Sequence, residues 1–114
     1  MIDTKLEFSE GGKTLVLTVI GHAGMGDAGN DPVCAAASIL AYTVAQEVTD
    51  MHKAGKLKKK PHIRLDAGDA AVTCKPTKGA YAEALHLYKV AQTGYRLLAH
   101  NFPDNLRVKK FGEA

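Results

Sequence analysis

A histidine and a cysteine stand within one short stretch, GHAGMGDAGNDPVCAAAS (residues 21–38), His22 among glycines and Cys34 at the head of an alanine run. A thiol paired with an imidazole suits attack on a carbonyl carbon: the imidazole takes the thiol proton and later hands a proton to the leaving amine. Asp31 is a good helix N-cap, and Pro32 suits the first helical position with its fixed φ and missing N–H. Cys34 is therefore expected in the first turn of a helix, where the partial positive charge of unpaired N–H groups favours thiolate over thiol. The same N–H groups are expected to hold an oxyanion. His22 falls at the end of the preceding strand, and the glycine-rich loop returns the chain to the helix start, so the spacing lets the imidazole reach the thiol.

Three neighbours carry two readings each. Ser38 falls one helical turn after Cys34, where its hydroxyl either bonds the thiolate or substrate or simply fits a crowded face. Asp31 either orients His22 as the third member of a triad or only caps the helix. Gly21, between strand and histidine, is expected to act as a hinge that lets the loop over residues 21–33 close on an extended peptide; the other reading is a fixed tight turn. The second cysteine, Cys74 in AVTCK, shares a strand face with Val72, and burial is its expected role. The glycines match neither GxxxxGK[ST] nor GxGxxG, and Asp27 and Asp31 would repel a bound phosphate. His52, His62, His86 and His100 are scattered, and His22 with Cys34 lacks paired ligands at short spacing, so neither a metal nor a cofactor is expected.

Elements must bring these side chains together. Ile2, Thr4, Leu6 and Phe8 alternate with Asp3, Lys5 and Glu7, then SEGGK supplies a turn before the β-branched run TLVLTVI, which predicts a hairpin. The second strand, residues 14–20, is apolar on both faces and is expected to be central. Val33, Ala36, Ala37, Leu40, Ala41, Val44, Ala45 and Val48 recur at helical spacing up to Gly55. This long helix has a small-residue face, formed by Ala36, Ala37, Ala41 and Ala45, on which a second backbone is expected to pack closely. HIRLDAGDAAVTCK predicts two short strands around an Ala-Gly-Asp turn. AYAEALHLYKVAQTGYRLLAH predicts a second helix, ended by Asn-Phe-Pro-Asp, and NLRVKKF a possible closing strand. The order ββαββα(β) describes an α+β fold: one two-layer domain over residues 1–114, an antiparallel sheet with two long helices.

Composition limits the alternatives. A chain of 114 residues, 46% hydrophobic and 24% charged, buries a sufficient core without disulfide or metal support. No tract approaches the roughly 18 apolar residues of a membrane span, and MIDTKLEF lacks a signal-peptide core, which predicts a cytoplasmic protein with both thiols reduced. The net charge of +3 is too small by itself to imply nucleic-acid binding. Lys53, Lys56, Lys58, Lys59 and Lys60 read first as a solvated, dipole-compensating helix end.

Gly21-His22-Ala23-Gly24, a short loop, Gly29-x-Asp31-x-Val33-Cys34-Ala35-Ala36 and then Ser38 resembles the motif of the ribosomal-processing cysteine protease family, often called Prp. The resemblance extends over the whole domain in length and element order. It implies a His-Cys endopeptidase, usually a homodimer, that removes a short N-terminal extension from a large-subunit ribosomal protein or acts on a related phage structural protein. Carried over by position, His22 becomes the base and Cys34 the nucleophile, while Asp31 and Ser38 match the motif in supporting places. Pro32 and Ala37 stand where bulkier aliphatic residues are usual, and Met25 replaces a common aromatic, which bears on substrate fit. The implied partners are a peptide substrate and a second copy of the chain, with neither membrane nor nucleic acid expected. The alternative from another class is a non-catalytic ribosome-associated or RNA-binding module that uses the lysine run.

Overall fold

The computed structural model describes residues 1–9, 13–26, 29–109 and 112–113. Strand β1 (Ile2–Ser9) and strand β2 (Thr14–Gly21) form the expected antiparallel hairpin, with Leu6 opposite Leu17 and Ile2 opposite Gly21. Most of its SEGGK turn lies outside the described residues. Helix α1 (Pro32–Lys53) follows, then strands β3 (His62–Asp66) and β4 (Asp69–Cys74), a 3₁₀ turn (Lys78–Ala80) and helix α2 (Tyr81–Asn101). Strands β5 (Leu106–Val108) and β6 (Gly112–Glu113) close the order.

The sheet runs β3-β4-β2-β1-β5, with β6 also paired to β1. β2 is central, between β1 and β4, as its two apolar faces require. The contacts among β1 to β4 are antiparallel, but β5 and β6 join β1 in parallel, so the sheet is mixed rather than wholly antiparallel. The reason is topological. The chain leaves the sheet at Cys74, crosses it through α2, and re-enters beside β1 from the same end.

The core lies between the sheet and the two helices. Ile2, Thr4 and Leu6 of β1 point into it together with Leu15, Leu17 and Val19 of β2, Val72 and Cys74 of β4, and the α1 face of Val33, Ala37, Ala41, Val44, Ala45 and Val48. Alternation at period two on the strands and near 3.6 on the helix supplies matching faces, and their burial is the main stabilising term. Cys74 is buried as expected, and burial pushes its thiol pKa up. The small residues of α1 admit α2 closely: the Tyr95 hydroxyl donates to the Ala37 carbonyl at 2.9 Å, and a Cβ on Gly94 would stand 2.8 Å from Leu40 Cδ1. On the sheet side, Tyr88 donates its hydroxyl to the Val72 carbonyl at 3.0 Å, tying α2 to β4. Both phenols are buried, which pushes their pKa values up and keeps them as neutral donors. Among the described residues no helix is long and apolar enough to cross a membrane.

Candidate active site

The end of β2, the start of α1 and the β3–β4 turn surround one cleft of about 560 Å³, lined by His22, Asp31, Cys34 and Ser38 among others. Each arrives there for a local reason. Asp31 has extended backbone (φ −103°, ψ 106°) and its Oδ1 accepts the N–H groups of Val33 and Cys34, both at 3.0 Å. With Pro32 after it, this starts the helix and sets Cys34 in the first turn, half-buried at the cleft.

The other carboxylate oxygen of Asp31 accepts from Met25 N at 2.9 Å, which pins the glycine-rich loop to the helix start. Both oxygens thus serve the backbone, and among the described residues neither is bonded to His22. Asp31 is a cap and a loop anchor in this structure. The Cys34 N–H above all, with the Met25 N–H, the Cys34 thiol and the Val33 N–H, holds its carboxyl below the usual carboxylate range against the opposing effect of burial.

The same contacts correct the expected oxyanion site. The N–H groups of Val33 and Cys34 are spent on the Asp31 side chain, and that of Ala35 on the Asp31 carbonyl at 3.0 Å. A cap strong enough to set the helix start consumes the donors that the start would otherwise offer. The donor aimed at the sulfur comes instead from the loop: Ala23 N–H points to Cys34 Sγ at 3.3 Å.

Ala23 is itself held from behind. The side-chain amide of Asn105, in the turn between α2 and β5, donates to the Ala23 carbonyl at 2.8 Å, while the Asn105 carbonyl accepts from Ile2 N at 2.9 Å. Asn105 therefore joins the sheet edge to the loop and fixes the peptide unit that meets the sulfur. Nothing in the sequence around Asn105 signals this, since its partner lies 82 residues away.

His22 forms the adjoining wall. Its carbonyl accepts from the backbone nitrogen of Met1 at 2.6 Å, and its exposed imidazole lies against Gly68 in the β3–β4 turn. A Cβ on Gly68 would stand 2.5 Å from His22 Nε2 and 2.7 Å from Cε1, and the glycine has φ +72°. Gly68 is thus a platform for the ring. The Ala-Gly-Asp turn is visible in the sequence, but its place beside His22 follows from the β2–β4 register, in which Ile20 faces Asp69. Among the described residues the imidazole makes no hydrogen bond to Cys34. Histidine and cysteine face one cleft without being paired, an arrangement that substrate-free sites commonly show.

Gly21, expected as the hinge, is tied into the sheet on both sides. Its N–H bonds to the Gly68 carbonyl at 2.9 Å, and a Cβ there would come within 2.3 Å of the Met1 carbonyl oxygen. With φ +107° it has the geometry of a fixed turn. Ser38 is exposed on the cleft wall one turn beyond Cys34, with no hydrogen bond to the sulfur among the described residues. Asp27, expected to repel phosphate, lies outside the described residues. Tyr42 and Leu65 give opposite walls of the cleft an apolar surface. Among the described residues no group of three or more His, Cys, Asp or Glu side chains is placed to hold a metal ion.

Comparisons with known proteins give a family and a fold. A family model described as cysteine protease Prp matches residues 1–107. The fold is similar to that of the essential ribosomal processing protease Prp from S. aureus, solved with a covalently linked product peptide: TM-score 0.70, 21% identity, covering 97% of this chain and 99% of that one. A second structure of the S. aureus protease, with a substrate peptide, gives a TM-score of 0.66 at 20% identity over 97% and 99% of the two chains. SMU.848 from Streptococcus mutans gives 0.65 at 21% identity over 100% and 96%. A comparison with curated proteins found no match.

Proposed function

Since the chain belongs to the cysteine protease Prp family, it is a cysteine protease, and we propose that it removes a short N-terminal extension from a ribosomal protein with Cys34 as nucleophile and His22 as base and acid. The observation that carries this reading is the placing of Cys34 Sγ in the cleft beside the His22 loop, with the Ala23 N–H directed at it. The relatives solved with substrate and product peptides support a peptide as the occupant.

The chemistry follows from the groups present. His22 takes the thiol proton, and the Cys34 thiolate adds to the scissile carbonyl carbon to give a tetrahedral adduct. The C–N bond breaks as the imidazolium delivers its proton to the leaving amine, leaving a thioester on Cys34. His22 then deprotonates a water that attacks the thioester, releasing the acid product and restoring the thiol. Rotation of the imidazole away from Gly68 toward Sγ accompanies substrate entry. Ser38 supports by hydrogen bonding to the peptide, and Tyr42 and Leu65 receive an apolar side chain of the extension. Exposed apolar residues on the outer helix faces, Ile39 of α1 with Val90 and Leu97 of α2, support a homodimer. We place the activity in the cytoplasm, where both thiols remain reduced.

The test is to incubate the protein with the host's extended ribosomal protein and measure product masses. A single cut near the N-terminus is expected. Cys34→Ala abolishes it while the fold is kept, and Cys74→Ala retains it; wild-type turnover in Cys34→Ala would overturn the assignment.

A further inference from the structure

We infer that the end of the molecule remote from the cleft is a binding surface for the phosphate backbone of a nucleic acid. Helix α1 ends there with Lys53, and Lys56, Lys58, Lys59 and Lys60 follow. The fold adds two lysines from elsewhere. Lys58 N bonds the Lys75 carbonyl at 2.7 Å, Thr77 N bonds the Lys56 carbonyl at 2.9 Å, and Leu57 bridges to Pro76, so the segment after β4 carries Lys75 and Lys78 alongside the run. Lys56 pairs with Glu83 at 3.0 Å; among the described residues the other six have no acidic partner.

Between the two segments lies a depression of about 280 Å³, lined by Lys59, Lys60, His62, Thr73 and Lys75, with no carboxylate in its wall. Three ammonium groups, an imidazole and a hydroxyl around one hollow offer donors to an oxyanion of phosphate size. Compensation of the α1 dipole does not account for this, because that effect fades within the last turn, which His52 and Lys53 already occupy.

α1 separates the patch from Cys34 by about 30 Å, given a rise of about 1.5 Å per residue.

The chemistry of the patch selects among polyanions. It holds lysines but no arginine, so it lacks the planar fork that grips carboxylates of an acidic protein. None of the exposed large apolar side chains lies between residues 52 and 62 or between 73 and 78, so a lipid surface finds no anchor. Among the described residues no Phe, Tyr or Trp side chain is exposed there for base stacking. Point charges without stacking or forked donors follow the sugar-phosphate backbone and do not read sequence.

The test uses the full chain and a fluorescent RNA hairpin of about 20 base pairs, titrated between about 50 and 200 mM salt. If four or more lysines meet phosphates, log K falls against log salt with a slope of about −4 or steeper. The triple variant Lys58→Glu/Lys59→Glu/Lys60→Glu should weaken binding at least about tenfold and flatten the slope by about 3. Lys75→Glu, on the other segment, should weaken it in the same direction, while cleavage of a short peptide stays at wild-type turnover in both. Undiminished RNA binding in these variants, no RNA binding at the lowest salt, or tighter binding to poly-glutamate or anionic vesicles than to RNA would overturn the inference.

Discussion

Ala23 joins the chemistry of the site to its scaffold, since its N–H meets the sulfur and its carbonyl is held by Asn105. Asn105 is a positioning residue, acting on Cys34 through Ala23. Asn105→Ala should lower kcat by roughly tenfold with little change in KM, and slow alkylation of Cys34 by a small reagent; this is the size expected when one well-aimed hydrogen bond in a site loses its orientation. A merely structural role predicts unchanged kinetics below the melting temperature. Asp31 makes a pH prediction. Its folded-state pKa lies below the ordinary carboxylate value, so the stability it contributes is fully present above that ordinary value and lost as pH falls through the lowered one. Asp31→Asn keeps a capping oxygen but loses the charge and the Met25 contact, so its melting temperature should be lower at neutral pH and change less than wild type's between about pH 4 and 2. A parallel decline of the two proteins would remove Asp31 from the acid response. At this scale the residues that lie close in sequence were legible: the shared cleft of His22 and Cys34 and the Asp31-Pro32 helix start rest on local rules. Gly68 and Asn105 were not, because strand register and the return of the chain after α2 bring them to the loop. The oxyanion expectation failed for a related reason: the cap and the hole compete for the same N–H groups, and the cap has them.

Among the elements, the hairpin of β1 and β2, the two helices and the β3–β4 pair were legible from alternation, helical spacing and turn residues. The parallel join of β5 to β1 was not, since β5 has three residues and its direction depends on how α2 crosses the sheet. Gly21 is the element-level test, because it sits where β1, β2 and the β3–β4 turn meet. Alanine there requires a positive φ and pushes the Met1 carbonyl, a backbone neighbour that has no rotamer to change. Gly21→Ala should therefore cost about 2 kcal/mol or more and lose stability and turnover together. Lost turnover at wild-type melting temperature would restore the hinge reading.

For the molecule as a whole, the proposed dimer rests on apolar side chains of the outer helix faces. Leu97 and Ile39 are 60% and 59% exposed, and a second copy would cover them. Light scattering at micromolar concentration should give twice the monomer mass, and Ile39→Asp with Leu97→Asp should give the monomer. A wild-type protein that is monomeric throughout removes the dimer without touching the assignment of Cys34.

The contact between Asn105 and Ala23 also has a meaning in time. His22 and Cys34, the proposed base and nucleophile, are made early, yet the peptide unit directed at the sulfur is secured by a residue made only after α2. A nascent chain extended as far as α2 already carries both side chains but not the brace behind Ala23. On the proposed roles, order of synthesis thereby acts as a safety catch: the site is completed only when Asn105 docks against Ala23 and β5 pairs with β1.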